Sequence, residues 1–323
     1  MRKKILFLVT LCSTLFAVSV VAGPVFIDPF NMSPLNREIL MSVRLPRVVT
    51  AMLIGMALGA SGAVLQGILR NPLADPYILG ISSGAAFLAV AGIVTGFSAA
   101  GLFSIPLLAF GGAIATGMIV GIIGYRKGSL WHERLLLAGI GIGFLFNALL
   151  MLILSISSNE GLRKAVLWMF GELSMAEWSL VPYGLALIVS GFCIAVSRAK
   201  ALNALMLGDE IAWSLGFNPT KERMMLFLAA CLMVAASVSL GGTIGFIGLL
   251  MPHIVRFTTG TDNRYLIPLS AISGGALLCI ADLIGRSILS PMELPSGIIT
   301  AVIGAPYFLY LIRKREMFGG MNN

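Results

Sequence analysis

Ten apolar stretches, each about the length that a helix needs to cross a bilayer, follow one another along the 323 residues. They fall at 5–26, 48–69, 78–98, 103–124, 134–157, 178–197, 224–241, 242–259, 265–285 and 294–312. A backbone inside hydrocarbon must satisfy its own hydrogen bonds, so runs of this length are expected as helices. Composition agrees: 58% of residues are hydrophobic and 11% charged, against about 25% charged in soluble domains. The expectation is an all-α integral membrane protein, one transmembrane domain over 1–323, with no room for a large soluble domain.

The run from Met224 to Arg256 is too long for one span and short for two. Gly241-Gly242 offers a break, and charge decides the count. With ten spans and Arg2-Lys3-Lys4 inside, sixteen of the 22 Lys and Arg are cytoplasmic and six are outside. With a single span there, the tally becomes 12 and 10. Positive residues concentrate in cytoplasmic loops, which favours ten spans with both termini cytoplasmic. The first apolar run is too long for a signal-peptide core and reads as a span. The net charge of +8 has the same origin, and no basic run is interleaved with aromatics as nucleic-acid binding would require.

Several chemistries find no support. Cys12, Cys193, Cys231 and Cys279 sit singly in apolar stretches, and His132 and His253 lie far apart, so neither a disulfide framework nor a metal site is indicated. No phosphate-binding glycine loop occurs, nor a nucleophile set. Asp282 is the acid well inside a span, with Arg286 four residues on as its expected partner. Without a cluster of intramembrane acids, an ion-coupled secondary transporter is the weaker alternative. Pro106, Pro182, Pro252 and Pro306 are expected to kink their spans. Small-residue spacings such as Gly55/Gly59 and Gly117/Gly121 indicate close helix packing.

One hydrophilic stretch, about 199–222, reads as two short amphipathic helices broken at Gly208 on the cytoplasmic side. Asp209 and Glu210 suit the second N-terminus. It is either a solvated loop or a docking surface; Leu205, Leu207, Trp213 and Leu215, read as exposed, argue for docking.

Four segments in order resemble one family over nearly the whole chain. They are Arg44-Leu45-Pro46-Arg47; Asn71-Pro72-Leu73-Ala74-Asp75-Pro76; Gly242-Thr243-Ile244-Gly245-Phe246-Ile247-Gly248-Leu249 running into Pro252-His253; and Glu293-Leu294-Pro295-Ser296-Gly297. This ordered set is similar to the FecCD-type permeases of ATP-binding-cassette importers for iron-siderophores, haem and vitamin B12.

The resemblance implies a vitamin B12 permease-like bundle in a bacterial cytoplasmic membrane, not an enzyme. It implies a second permease copy, two separate ATPase subunits and a periplasmic or lipid-anchored substrate-binding protein. This chain is then expected to bind no cofactor, with ATP and Mg in the partner subunits. By the same resemblance Arg44, Arg47 and Arg286 face the binding protein. Leu205, Leu207, Gly208, Asp209, Glu210, Leu215 and Gly216 couple to the ATPase. Asn71, Leu73, His132 and Glu133 lie at the cytoplasmic gate, and Asn147 is the main buried polar group of a path lined by span five. A ferric siderophore is the expected substrate, with haem or cobalamin as the alternative.

Overall fold

The computed structural model describes residues 2–23, 33–126, 129–130 and 132–319, with side chains described from residue 5 and not at 126, 129–130, 132, 311–312 or 314–319. Arg2-Lys3-Lys4 therefore contribute backbone only, and Lys127 lies outside the described residues. The helices are α1 (Arg2–Val21), α2 (Pro34–Ile39), α3 (Leu45–Ile68), α4 (Ile81–Val94), α5 (Ser104–Gly124), α6 (His132–Ser155) and α7 (Asn159–Met169). They continue with α8 (Val181–Ser197), α9 (Ala199–Leu207), α10 (Asp209–Ser214), α11 (Pro219–Gly241), α12 (Ile247–Thr259), α13 (Asn263–Ser287) and α14 (Ser296–Gly319). A π turn over Leu40–Arg44 joins α2 to α3, and two two-residue strands, Tyr125–Arg126 and Ser129–Leu130, pair antiparallel.

Each of the ten apolar stretches contains one helix: α1, α3 to α6, α8 and α11 to α14. Their lengths differ. Pro34–Ile68, Ser104–Gly124, Glu133–Ser155, Pro219–Gly241 and Asn263–Ser287 are long and apolar enough to cross alone, and α8 with α9 forms a pair bent by 53°. At 14 and 13 residues, α4 and α12 cover only about 20 Å each, less than the hydrocarbon core. Irregular backbone precedes both: the 3-10 turn Pro76–Leu79 before α4 and residues 242–246 before α12. Such backbone is tolerated at depth where protein satisfies it. Thr243 donates its hydroxyl to the Met169 carbonyl and Gly297 N–H bonds to Phe170 O at 3.1 Å, so α7 and the start of α14 seal that break.

The most enclosed helix is α3, flanked by α13, α11, α12 and α8. Small residues make this possible. A Cβ on Gly55 would fall on the Gly274 carbonyl, and one on Gly59 on the Ser270 carbonyl, each closer than the 3.0 Å that real Cβ atoms respect. The backbones of α3 and α13 are thus in direct contact, and dispersion replaces the hydrophobic drive that lipid cannot supply. By contrast, only 17% of the apolar window of α6 is buried, against 83% for that of α3.

Two expectations need correction. Pro106 and Pro182 do not kink spans: they lie in the first turns of α5 and α8, where a missing N–H costs nothing. Among the described residues, the prolines inside helices are Pro252, Pro268 and Pro306. Helix α7, capped by the Ser158 hydroxyl on Gly161 N–H, was not anticipated between spans five and six.

Candidate functional site: ionic clusters at both ends of a central helix

At 24 residues, α3 is about 36 Å long. It carries Arg47 in its first turn and Arg70 just beyond its last, and a charged cluster forms around each.

At the Arg47 end, Arg44, Arg47 and Arg286 do converge: a Cβ on Gly23 would lie 3.2 Å from Arg44 Nη2 and 3.3 Å from Arg286 Nη1. They are not a surface patch. Their exposures are 5%, 7% and 3%, and internal acceptors occupy them. Arg47 Nε donates to both oxygens of Asp282, at 2.9 and 3.1 Å, and Arg47 Nη1 to Glu293 Oε2 at 2.6 Å. Ser296 Oγ adds a bond to Asp282 Oδ1 at 3.1 Å. Arg44 Nη1 donates to Val21 O at 2.8 Å, and Arg286 Nη2 to Ser19 O. The anticipated Arg286–Asp282 pair exists at 3.6 Å, but the tight partner of Asp282 is Arg47 on another helix. A guanidinium and a carboxylate meeting side-on is the geometry that offsets the desolvation of both. The cluster ties α1, α3, α13 and α14 together.

At the other end, α3 gives way to the 71–76 loop. Asn71 N–H bonds to Gln66 O at 3.1 Å, and Asn71 Oδ1 accepts from Leu73 N–H at 2.9 Å. Both residues are half-buried. Asp75 caps the following 3-10 turn through Tyr77 N–H at 2.7 Å, yet its Oδ2 is buried without a hydrogen-bond partner. Burial pushes this carboxyl up to about 6, against the opposing pull of the Tyr77 and Leu249 amides. Gln66, unremarked in the sequence, is buried and donates to Gly248 O and Leu249 O at 3.3 Å while accepting from Arg256 at 3.0 Å. Glu133 is exposed in the first turn of α6, and no described contact joins it to this loop. The side chain of His132 lies outside the described residues. His253 stacks edge-on against Phe257, ring centroids 4.9 Å apart.

The amphipathic pair forms as expected, α9 and α10 meeting at Gly208 with φ 138°, a conformation glycine adopts readily. Leu207, Ile211, Trp213 and Leu215 are exposed, as are Glu210 and Gly216. Leu205 is not: at 1% exposure it packs inward, and the adjoining Leu202 fills the space beside Gly67. Asp209, its side chain 44% exposed, is engaged from within, accepting from Arg70 Nη2 at 2.8 Å, from Arg223 Nη1 at 2.9 Å and from Arg223 Nη2. The Arg223 hydrogen bond, with the charges of Arg223 and Arg70, holds this carboxyl below its ordinary range despite partial desolvation. Arg198 pairs with Glu222 at 2.7 Å, and Asn203 bridges to Asp262 at 2.8 Å and Asn263 at 2.7 Å.

Along α6, Leu135, Gly139, Gly143 and Leu150 are buried: Leu135 packs on Gly124 of α5, Gly139 and Gly143 meet Leu79 and Gly80 of the 76–80 turn, and Leu150 clusters with Ala86, Val90 and Ala165 of α4 and α7. The opposite face presents Leu137, Phe144, Leu145, Met151 and Leu152. Asn147 lies on that open face, exposed rather than buried. Among the described residues no three His, Cys, Asp or Glu side chains gather as a metal site would need.

The bundle has counterparts among known proteins. The chain is 42% identical over 288 residues to the hemin transport system permease HmuU of Yersinia pestis, covering 88% of this chain and 86% of that one. It is 38% identical over 320 residues to the Fe(3+)-citrate import permease YfmE of Bacillus subtilis, covering 96% and 94%. It is 39% identical over 308 residues to the vitamin B12 import permease BtuC of Vibrio parahaemolyticus, covering 93% and 90%. A solved structure of an inward-facing transporter assigned to the metal-chelate ABC type superposes with a TM-score of 0.89 at 31% identity, covering 97% of this chain and all of that one. The family model of the FecCD transport family matches residues 5–314. The chain is a multi-pass membrane protein and belongs to that family, whose members are permease subunits of ATP-binding-cassette importers.

Proposed function

We propose that this permease, as a single domain, carries a ferric siderophore inward across a bacterial cytoplasmic membrane, as one of two identical copies. The observation that carries the reading is the α9–α10 pair. Its exposed Leu207, Ile211, Trp213 and Leu215 lie on the side that the Lys and Arg distribution assigns to the cytoplasm. Apolar side chains held out there by a bolted scaffold suit a protein partner, and an ATPase subunit is the partner the family implies. Glu210 and Gly216 belong to the same face. ATP and Mg reside in that subunit, and this chain binds neither.

The open face of α6, with Asn147 among apolar neighbours, lines the path between the two copies, and residues 71–73 gate it. A largely apolar wall suits a bulky chelate whose recognition is left to a separate binding protein. The Arg44, Arg47 and Arg286 cluster meets that protein at its exposed edge, Glu293, whose side chain is 44% exposed, while the Arg47–Asp282 pair stays closed. Relatives named for hemin and vitamin B12 transport keep haem and cobalamin as the alternative cargo.

Pull-down of the tagged chain in mild detergent tests the reading. An ATPase and a binding protein are expected to copurify, and titrating that binding protein with ferric hydroxamate, haem and cobalamin names the cargo. A chain recovered alone, with 201–217 open to protease, contradicts it.

A further inference from the structure

Among the described residues, Arg70 is one of two non-glycines with positive φ, at 48°. That turn aims its side chain back across the gap between α9 and α10. Nε and Nη2 donate to Leu205 O at 3.1 and 2.6 Å, and Nη2 also reaches Asp209 Oδ1 at 2.8 Å. The guanidinium thus caps the last turn of α9 and holds the first residue of α10, bracing the break at Gly208. Asp209 is gripped from its far side by Arg223 in the first turns of α11, itself 3% exposed. In the chain direction Arg70 immediately precedes Asn71, whose amide and side chain shape the 71–73 turn.

We infer that Arg70 and Asp209 form a strut through which movement of α10 reaches the 71–73 loop, so that Asp209 is a positioning residue and not a docking carboxylate. This rests on the reading that α9–α10 meets an ATPase. Without the strut α10 is held through Arg223 to α11 alone, and its displacement is absorbed at Gly208 instead of reaching α9 and the end of α3. With it, α9, α10 and the end of α3 shift together, and the gate loop is covalently the next segment.

The test uses the complete transporter in liposomes. Leu73→Cys is placed in a chain with Cys193→Ser, since Cys193 is the exposed native cysteine and the other three are buried. The rate of maleimide labelling at position 73 is read with and without Mg-ATP, alongside hydrolysis. In the parent, ATP is expected to change the labelling rate. Arg70→Gln should reduce that change roughly tenfold, the scale of losing a charge-assisted hydrogen bond, while the ATPase stays bound and hydrolysis continues. Asp209→Asn should do the same, and the double variant should lose no more than the worse single one. Arg70→Lys, expected to fold where Gln does not, should respond at an intermediate level.

An unchanged ATP response in Arg70→Gln, or in Arg70→Lys, overturns the strut. So do additive losses in the double variant, or an ATPase that leaves the complex on Asp209→Asn alone. A parent chain that holds no ATPase overturns the functional reading and the strut together.

Discussion

Arg47 and Asp282, 235 residues apart, meet side-on with Nε donating to both carboxylate oxygens. The carboxylate is 1% exposed, so its charge is tolerated only through Arg47, Ser296 and Arg286. Asp282→Asn leaves buried guanidinium groups without their counter-ion and is expected to cost about 3 to 5 kcal/mol. Glu293→Gln, at the exposed edge of the cluster, should cost under about 1 kcal/mol. Thermal unfolding in detergent compares the two. Equal losses would mean that burial does not set the strength of this cluster.

Asp75 gives a pH-dependent expectation. Its folded-state pKa, about 6, lies above the ordinary carboxylate value, so the folded chain binds the proton more tightly than the unfolded chain. Stability from this group is therefore greatest below about pH 4 and falls as pH rises to about 6. Asp75→Asn keeps an acceptor for the Tyr77 amide and removes the buried charge. It should raise stability by about 2 to 3 kcal/mol at pH 7.5 and by only about 1 kcal/mol at pH 4.5, as read by melting at both values.

Leu205 and Leu215 separate two roles within one short segment. Leu215→Ala or Trp213→Ala should weaken copurification of the ATPase about tenfold or more, with the melting temperature unchanged. Leu205→Ala, beneath the surface, should cost about 2 to 5 kcal/mol of stability. Reversal of these outcomes would place the docking face elsewhere.

Gly55→Val drives a side chain into the Gly274 backbone and should lower folded yield sharply, with strain of about 3 kcal/mol or more. Gly111→Ala, where a Cβ meets nothing within 4 Å, should accumulate like the parent. Fluorescence-detected size exclusion distinguishes them.

Local chemistry was legible in the sequence. Gly242 and Gly208 mark their breaks because glycine populates positive φ, and the ten apolar runs mark their helices. What stayed hidden was partnership across helices. Nothing near Asp282 announces Arg47, and nothing near Asp209 announces Arg70, 139 residues away. An i+4 rule found Arg286 because it sees only one helix. Exposure within α9 failed for the same reason: Leu205 and Leu207 read alike until α3 covers one of them. Helix α7 escaped because its charged first turns resemble a connecting loop, and its role is to seal a break in a distant segment.

The backbone contact of α3 with α13 leaves no layer of side chains to slide upon, so the two helices behave as a keel. Shape change in such a body is tilt rather than shear. A keel about 36 Å long that pivots about one end by about 5° displaces the other by about 3 Å. That is the length of one hydrogen bond, and a cluster of hydrogen-bonded charges stands at each end to register it.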